Sequence, residues 1–204
     1  MSEEDVIELK SISLSLLGNG QVGKTSIYKR YFNLDFMEIQ LSTVGMEKMI
    51  GKIMINGVEK KIKIWDNSGQ EIYKLATLNN LRNCHGVVLV YDVTKEDTFE
   101  DINGWISKIK DCGKPLAVTI MANKIDMENQ RVITKEQGEE LAKKYGYPYY
   151  ESSAKLNTGI KDAIQKCAEL AFELHKNDGA KGIKLDSKKL KENEKKKKKC
   201  CLSK

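Results

Sequence analysis

Apolar residues fall on alternate positions near the start of the chain: Ile12, Leu14 and Leu16 lie on one side of Ser11 to Leu17, and a glycine follows. This predicts a strand feeding a turn, with a helix after the glycines. Two further strand-like runs, Met49 to Ile55 and Val58 to Trp65, flank Asn56-Gly57. That dipeptide supplies the positive φ of a tight hairpin, so the two strands are expected to be antiparallel. Gly86 to Val93 and Pro115 to Ala122 are nearly continuous apolar runs, the pattern of strands covered on both faces of a parallel sheet. Between them, Phe99, Ile102, Trp105, Ile106 and Ile109 recur at helical spacing over Thr98 to Lys110. Thr134 to Tyr145 opens with a Thr-x-x-Gln capping box, and Asn157 to His175 carries an apolar stripe from Ile160 to Leu174.

Strand and helix therefore alternate. The expected fold is a doubly wound α/β architecture: a mostly parallel six-stranded sheet with one antiparallel edge strand, right-handed crossovers and helices on both faces. Ligands of such sheets bind beyond the carboxyl ends of the strands. After His175 the periodicity stops and the chain becomes lysine-rich. Residues 1–10 are expected to form an N-terminal extension, 11–176 a folded domain, and 177–204 a flexible basic tail. No internal repeat is present.

A length of 204 residues suits one domain plus an appendage, and 40 % hydrophobic with 31 % charged residues is ordinary globular usage. From Lys176 onward twelve lysines face four acids, a surplus larger than the net +6 of the whole chain, so the remainder is about −2. Basicity belongs to the tail, which argues against nucleic acid as a partner of the folded part. The five cysteines (Cys84, Cys112, Cys167, Cys200, Cys201) form no paired framework and suit a reducing compartment. The acidic start Met-Ser-Glu-Glu-Asp precedes no long apolar run, so neither a signal peptide nor a spanning helix is expected and the protein should start in the cytosol. His85 and His175 are isolated, and no Cys/His spacing suggests zinc.

The candidate chemistry begins where the first strand ends. Gly18-Asn19-Gly20-Gln21-Val22-Gly23-Lys24-Thr25 matches G-x-x-x-x-G-K-[ST] between a strand and a helix, and Ser26 follows in the first turn. Glycines there let backbone N–H groups converge on phosphate oxygens, the helix start adds positive potential, Lys24 neutralises β/γ charge, and the Thr25 hydroxyl can ligate Mg²⁺. The alternative for this motif alone is a flexible glycine turn carrying a surface lysine. At the next strand end, Asp66 can reach the metal through water, Gly69 lets the backbone approach a γ-phosphate, and Gln70 can orient an attacking water. Lys24 and Gln70 are the candidate catalytic residues, although Gln70 taken alone also reads as an ordinary loop glutamine.

Asn123-Lys124-Ile125-Asp126 ends another apolar strand. A carboxylate at Asp126 accepts paired hydrogen bonds from the ring N–H and exocyclic amine of guanine, a donor pair that adenine lacks, so the site selects guanine. In isolation the segment also reads as an Asn/Asp turn. Ser153-Ala154-Lys155 follows the last strand, where the Ala154 N–H can bond the guanine carbonyl and the Lys155 stem can cover the base. Four such elements in this order bind a guanine nucleotide, GTP or GDP, with Mg²⁺. A kinase acting on a small molecule would share only the first, and no arginine-rich lid is apparent.

On these motifs the chain resembles a Ras-superfamily GTPase from about Ile12 to His175, with a P-loop small G domain. The Rab branch fits best, on Lys61 to Asp66, Leu89-Val90-Tyr91-Asp92-Val93-Thr94, Ser42-Thr43-Val44-Gly45 and the paired terminal cysteines. The resemblance implies that Thr43 completes the Mg²⁺ shell only when a γ-phosphate is present and that Phe36 packs on the guanine. It implies switch segments at 34–45 and 67–78 that order with GTP and release after hydrolysis. Through them the chain would meet an exchange factor, a GTPase-activating protein, a GDP-dissociation inhibitor and effectors in vesicle traffic.

Several positions depart from that family. Gln21 replaces a small residue, and if its φ is positive the side chain costs about 1 kcal/mol that glycine avoids. Asn67-Ser68 replaces Thr-Ala, Gln40 an aromatic and Lys48 a phenylalanine, and Glu71 to Gly86 lacks most of the expected arginine and tyrosine pattern. These departures motivate an alternative, a nucleotide-dependent binding module with little intrinsic hydrolysis.

Lys195 to Lys199 stands directly before Cys200-Cys201-Leu202-Ser203-Lys204. Each lysine near an anionic leaflet contributes about 1 kcal/mol, and one lipid chain anchors only marginally, so a basic run beside two thiols suits a membrane anchor. A terminal Lys is outside the usual C-a-a-X choices. The resemblance implies dual geranylgeranylation of Cys200 and Cys201 and cycling between cytoplasm and the cytoplasmic face of an endomembrane or the plasma membrane. The alternative is a solvated charge run with incidental cysteines.

Overall fold

In the computed structural model of the chain, residues 9–38, 46–67 and 79–176 are described. Residues 11–174 make one compact unit; 1–10 and 175–204 group as a second, of which only 9, 10, 175 and 176 are described. Thr43, Gln40, Ser68, Gly69, Gln70, Cys200 and Cys201, with most of both expected switch segments, lie outside the described residues.

Six strands form one sheet in the order β2-β3-β1-β4-β5-β6, where β1 is Ser11–Leu17, β2 Met46–Ile55, β3 Val58–Asn67, β4 Gly86–Asp92, β5 Ala117–Asn123 and β6 Tyr149–Ser152. Only β2 and β3 pair antiparallel; the other neighbours are parallel. Asn56 (φ 51°) and Gly57 (φ 77°) make the two-residue turn between them, both left-handed as a right-twisted hairpin requires. The expected doubly wound sheet with one antiparallel edge is the fold observed.

Every residue of β4 and β5 is buried because helices cover both faces. On one face Val87, Leu89, Tyr91, Val118, Ile120 and Ala122 pack against three helices: α2 (Glu96–Glu100), α3 (Ile102–Lys110) and α4 (Lys135–Tyr145). On the other lie α1 (Lys24–Tyr31) and α5 (Ile160–His175); Phe32, just past α1, abuts Gly51, and the Lys60 ammonium lies 4.7 Å from the Phe172 ring centroid. None of the described helices is long and apolar enough to cross a membrane.

Local chemistry sets the helix ends. The capping box of α4 is complete: Gln137 N–H donates to Thr134 Oγ1 at 3.3 Å, Thr134 N–H donates to Gln137 Oε1 at 2.7 Å, and Gly146 closes the helix at φ 70°. The expected helix over Thr98 to Lys110 differs, starting two residues earlier and dividing at Asp101, where ψ is −11°. The backbone bonds Asp101 N–H to Asp97 O and Trp105 N–H to Asp101 O persist, so the division opens a turn without interrupting the axis. β2 begins three residues earlier than its apolar run, since Met46, Glu47 and Lys48 pair in register with Asn67, Asp66 and Trp65, and the Lys48 ammonium lies 4.9 Å from the Trp65 ring centroid. The last helix starts at Ile160 rather than Asn157, because Asn157 (φ 56°) and Gly159 (φ 71°) are left-handed.

Candidate functional site

The sheet reverses its winding direction at β1, which lies between β3 and β4, so a crevice opens beyond the carboxyl end of β1. The loop 18–23 begins there and leads into α1. Gly23 is the N-cap of that helix, at φ 97°, and supplies no side chain; the first turn contains no acid. No side chain of the N-cap satisfies the first N–H groups of this helix, and the dipole end they form favours an anion.

Lys24 is 5 % exposed and folds back over the loop, donating to Gly18 O at 2.9 Å and Asn19 O at 2.6 Å. Burial lowers its pKa to about 8, with the nearby Asp66 charge acting in the opposite sense. Gln21 is indeed left-handed, at φ 63°, and its exposed side chain accepts a hydrogen bond from Lys95 Nζ at 3.2 Å. The loop glycines divide into two kinds. A Cβ on Gly18 would strike Val90 O and one on Gly23 the Asn123 amide, whereas Gly20 has nothing within 4 Å.

Asp66, at the end of β3, is fully buried, and Thr25 Oγ1 donates to its Oδ2 at 2.6 Å. Its Oδ1 is buried and has no hydrogen-bond partner among the described residues. Burial raises the pKa of this carboxyl, against the hydrogen bond from Thr25 and the charge of Lys24. A buried carboxylate oxygen without a donor, beside a hydroxyl at a helix start, fits a hard cation that takes oxygen ligands. Among the described residues no group of three His, Cys, Asp or Glu could hold a metal alone, so such an ion would need ligands beyond Thr25 and Asp66.

The base side of the crevice is built around Asn123, at the end of β5. Its Nδ2 donates to Val22 O at 2.9 Å, and its Oδ1 accepts from Ala154 N–H at 3.3 Å and Ser152 Oγ at 3.2 Å. The Ala154 N–H, expected at a guanine carbonyl, is therefore directed at Asn123. Ser153 Oγ donates to Asp126 Oδ1 at 2.5 Å and accepts from Leu156 N–H at 3.0 Å, which fixes the carboxylate of Asp126 and leaves its Oδ2 without a protein partner among the described residues. Lys124 is left-handed, at φ 69°, and its ammonium lies 2.5 Å from Asp92 Oδ2. Lys155 meets Glu38 at 3.5 Å in an exposed pair that contributes little to stability. Ser26 and Phe36 are half-buried, the first in the opening turn of α1 and the second in the irregular segment after it.

Three residues that shape the site have no role at it that the sequence alone assigns: Asp92, Asn67 and Arg131. Asp92 is fully buried, holds Lys124 and accepts from both Thr94 N–H and Thr94 Oγ1. Its Asp-x-Thr spacing at a strand end is the signature of a side-chain turn that could have exposed it. Arg131 joins the two base-side segments, bonding Glu128 at 2.8 Å and Glu151 at 3.0 Å. Asn67 is 1 % exposed and donates to Ser15 Oγ at 2.8 Å and Leu16 O at 3.0 Å, while Asn80 donates to Asn67 Oδ1 at 3.2 Å. Asn67 and Asn80 thus form a buried amide chain that ties the end of β3 to β1.

Residues 13–173 match the family model described as Ras family. The chain is 34 % identical over 166 residues to the Ras-related protein Rab-15 of Homo sapiens, covering 81 % of this chain and 78 % of that protein. It is 36 % identical over 159 residues to the Ras-related protein Rab-3A of Homo sapiens, covering 78 % and 72 %, and 35 % identical over 158 residues to the Ras-related protein Rab-3C of Mus musculus, covering 77 % and 70 %.

Proposed function

Because the chain belongs to the Ras family, within its Rab group of small GTPases, we propose that it is a GTP-hydrolysing switch that regulates vesicle traffic from a membrane surface. The observation that carries this reading is the position of Asn123, whose amide joins the phosphate loop at Val22 to the Ala154 backbone on the base side. One ligand with phosphates at one end and a base at the other spans those two parts.

In this reading Gly18 to Ser26 surround the phosphates. Thr25, Thr43 and Asp66, the last through water, would hold Mg²⁺, which would supply neutralisation of phosphate charge. Asp126 accepts from guanine, Lys155 and Phe36 flank the base, Gly69 approaches the γ-phosphate and Gln70 orients the attacking water. Hydrolysis then depends on position and charge, with no covalent intermediate. GTP hydrolysis under single-turnover conditions tests it: Gln70→Leu should slow the rate at least about tenfold, the scale on which a lost positioning group acts. Equal rates for that variant and the native chain, or competition by ATP as strong as by GTP, would sink the reading.

A second reading, a nucleotide-dependent binding module that hardly turns over, is favoured by Gln21, which holds a left-handed backbone with a full side chain inside the phosphate loop. The same assay separates the two, since a native rate as slow as that of Gln70→Leu supports the module.

The membrane reading rests on Lys195 to Lys199 and the adjoining Cys200 and Cys201, as carriers of two geranylgeranyl chains. The intact mass of the chain from eukaryotic cells should exceed the sequence mass by two prenyl groups. An unmodified terminus would remove the anchor from the proposal.

A further inference from the structure

Asn19 occupies an unspecified position of the phosphate-loop motif and has no catalytic role, yet both ends of its side chain are engaged from a single neighbouring stretch. Its Nδ2 donates to Asp101 Oδ2 at 2.6 Å, and its Oδ1 accepts from Trp105 Nε1 at 2.8 Å. These partners are 82 and 86 residues away and belong to the division between α2 and α3 and to the first turn of α3. A carboxylate only accepts and an indole N–H only donates, so the amide fits in one orientation; reversed, it would set oxygen against oxygen and N–H against N–H. The backbone carbonyl of the same residue accepts from Lys24 Nζ at 2.6 Å, the shorter of that lysine's two loop bonds.

We propose that Trp105 and Asp101 are positioning residues of the nucleotide site: by locking the Asn19 amide they fix the carbonyl that aims Lys24, and so set how long the phosphates are held. The inference rests on the nucleotide-site reading above. It also explains the local geometry of the helix. The turn opened at Asp101 places a carboxylate toward the loop from within an otherwise continuous helical run. Trp105 is half-buried, so its indole bond is sheltered from water along part of its surface, while Lys108 covers the ring at 4.2 Å. Lys95, which precedes α2, tethers Gln21 of the same loop through a more exposed bond.

Release of a fluorescent GDP analogue from the full-length, Mg²⁺-loaded protein reads this directly. Trp105→Phe keeps an aromatic ring and removes the donor, and should raise the dissociation rate about fivefold, as expected for one partly sheltered hydrogen bond. Asn19→Asp should raise it further, because it sets two carboxylates against each other. The paired exchange Asn19→Asp with Asp101→Asn restores a donor and an acceptor, and should return the rate to within about threefold of native. A role confined to general stability would instead lower the thermal midpoint of Trp105→Phe and leave its release rate native. Recovery in the exchange variant supports the inference even if Trp105→Phe folds poorly. Native release from Trp105→Phe, or no recovery in the exchange, overturns it. Failure of the native protein to bind the analogue would instead overturn the nucleotide-site reading.

Discussion

Gly23→Ala should lower the stability of the protein by about 3–5 kcal/mol and abolish tight nucleotide binding. Gly23 stands at φ 97°, where a side chain costs about 1–2 kcal/mol. The new Cβ would also run into the Asn123 amide, whose bonds reach Val22 O, Ala154 N–H and Ser152 Oγ. Displacing that amide strips buried groups of partners, at about 1–3 kcal/mol each. In a domain of this size the sum corresponds to roughly 10 °C in thermal midpoint. Gly20→Ala is the control: its Cβ has nothing within 4 Å, and the midpoint should move by less than about 2 °C. A Gly23→Ala protein melting with the native one would show that the loop accommodates the methyl group and that the description of Asn123 is wrong.

Lys24→Ala should weaken GDP binding by about 10³-fold, some 4 kcal/mol, while leaving the nucleotide-free protein nearly as stable as before. The two effects separate because burial disfavours the Lys24 charge in the empty loop and lowers its pKa, and two carbonyls with the nearby Asp66 charge offset that only in part. A group held charged against burial makes its main contribution when an anion arrives. Calorimetric titration with GDP measures the first quantity and denaturant unfolding of nucleotide-free protein the second. A large loss of stability with a small loss of affinity would make Lys24 a structural strut.

The order of elements was legible because it depends on periodicity within each element. The apolar runs at Gly86 and Pro115 announced strands covered on both faces, and all seven residues of each are buried. The Asn56-Gly57 turn and the Thr134 capping box were legible because the geometry of a turn or cap is set by neighbours in sequence. The phosphate loop was legible as a motif, including the awkward backbone of Gln21. The added start of β2 was not, because Glu47 and Lys48 join through backbone pairing and interrupt the apolar alternation. The ties between distant residues were hidden for a different reason. Asp92 with Lys124, Asn67 with Asn80, and Asn19 with Asp101 and Trp105 are pairings between residues whose separation in sequence carries no periodicity. Only the fold brings them within reach; Trp105 on its own reads as part of an apolar helix stripe, and the others give no sign of their partners.

Asn123 has a consequence for time as well as for shape. With one amide bonded to the phosphate loop and to the base-side backbone, neither half of the crevice can move far while the other stays in place. Departure of a nucleotide should then pass through no stable halfway stage in which the base has left and the phosphates remain, and its time course should follow one exponential.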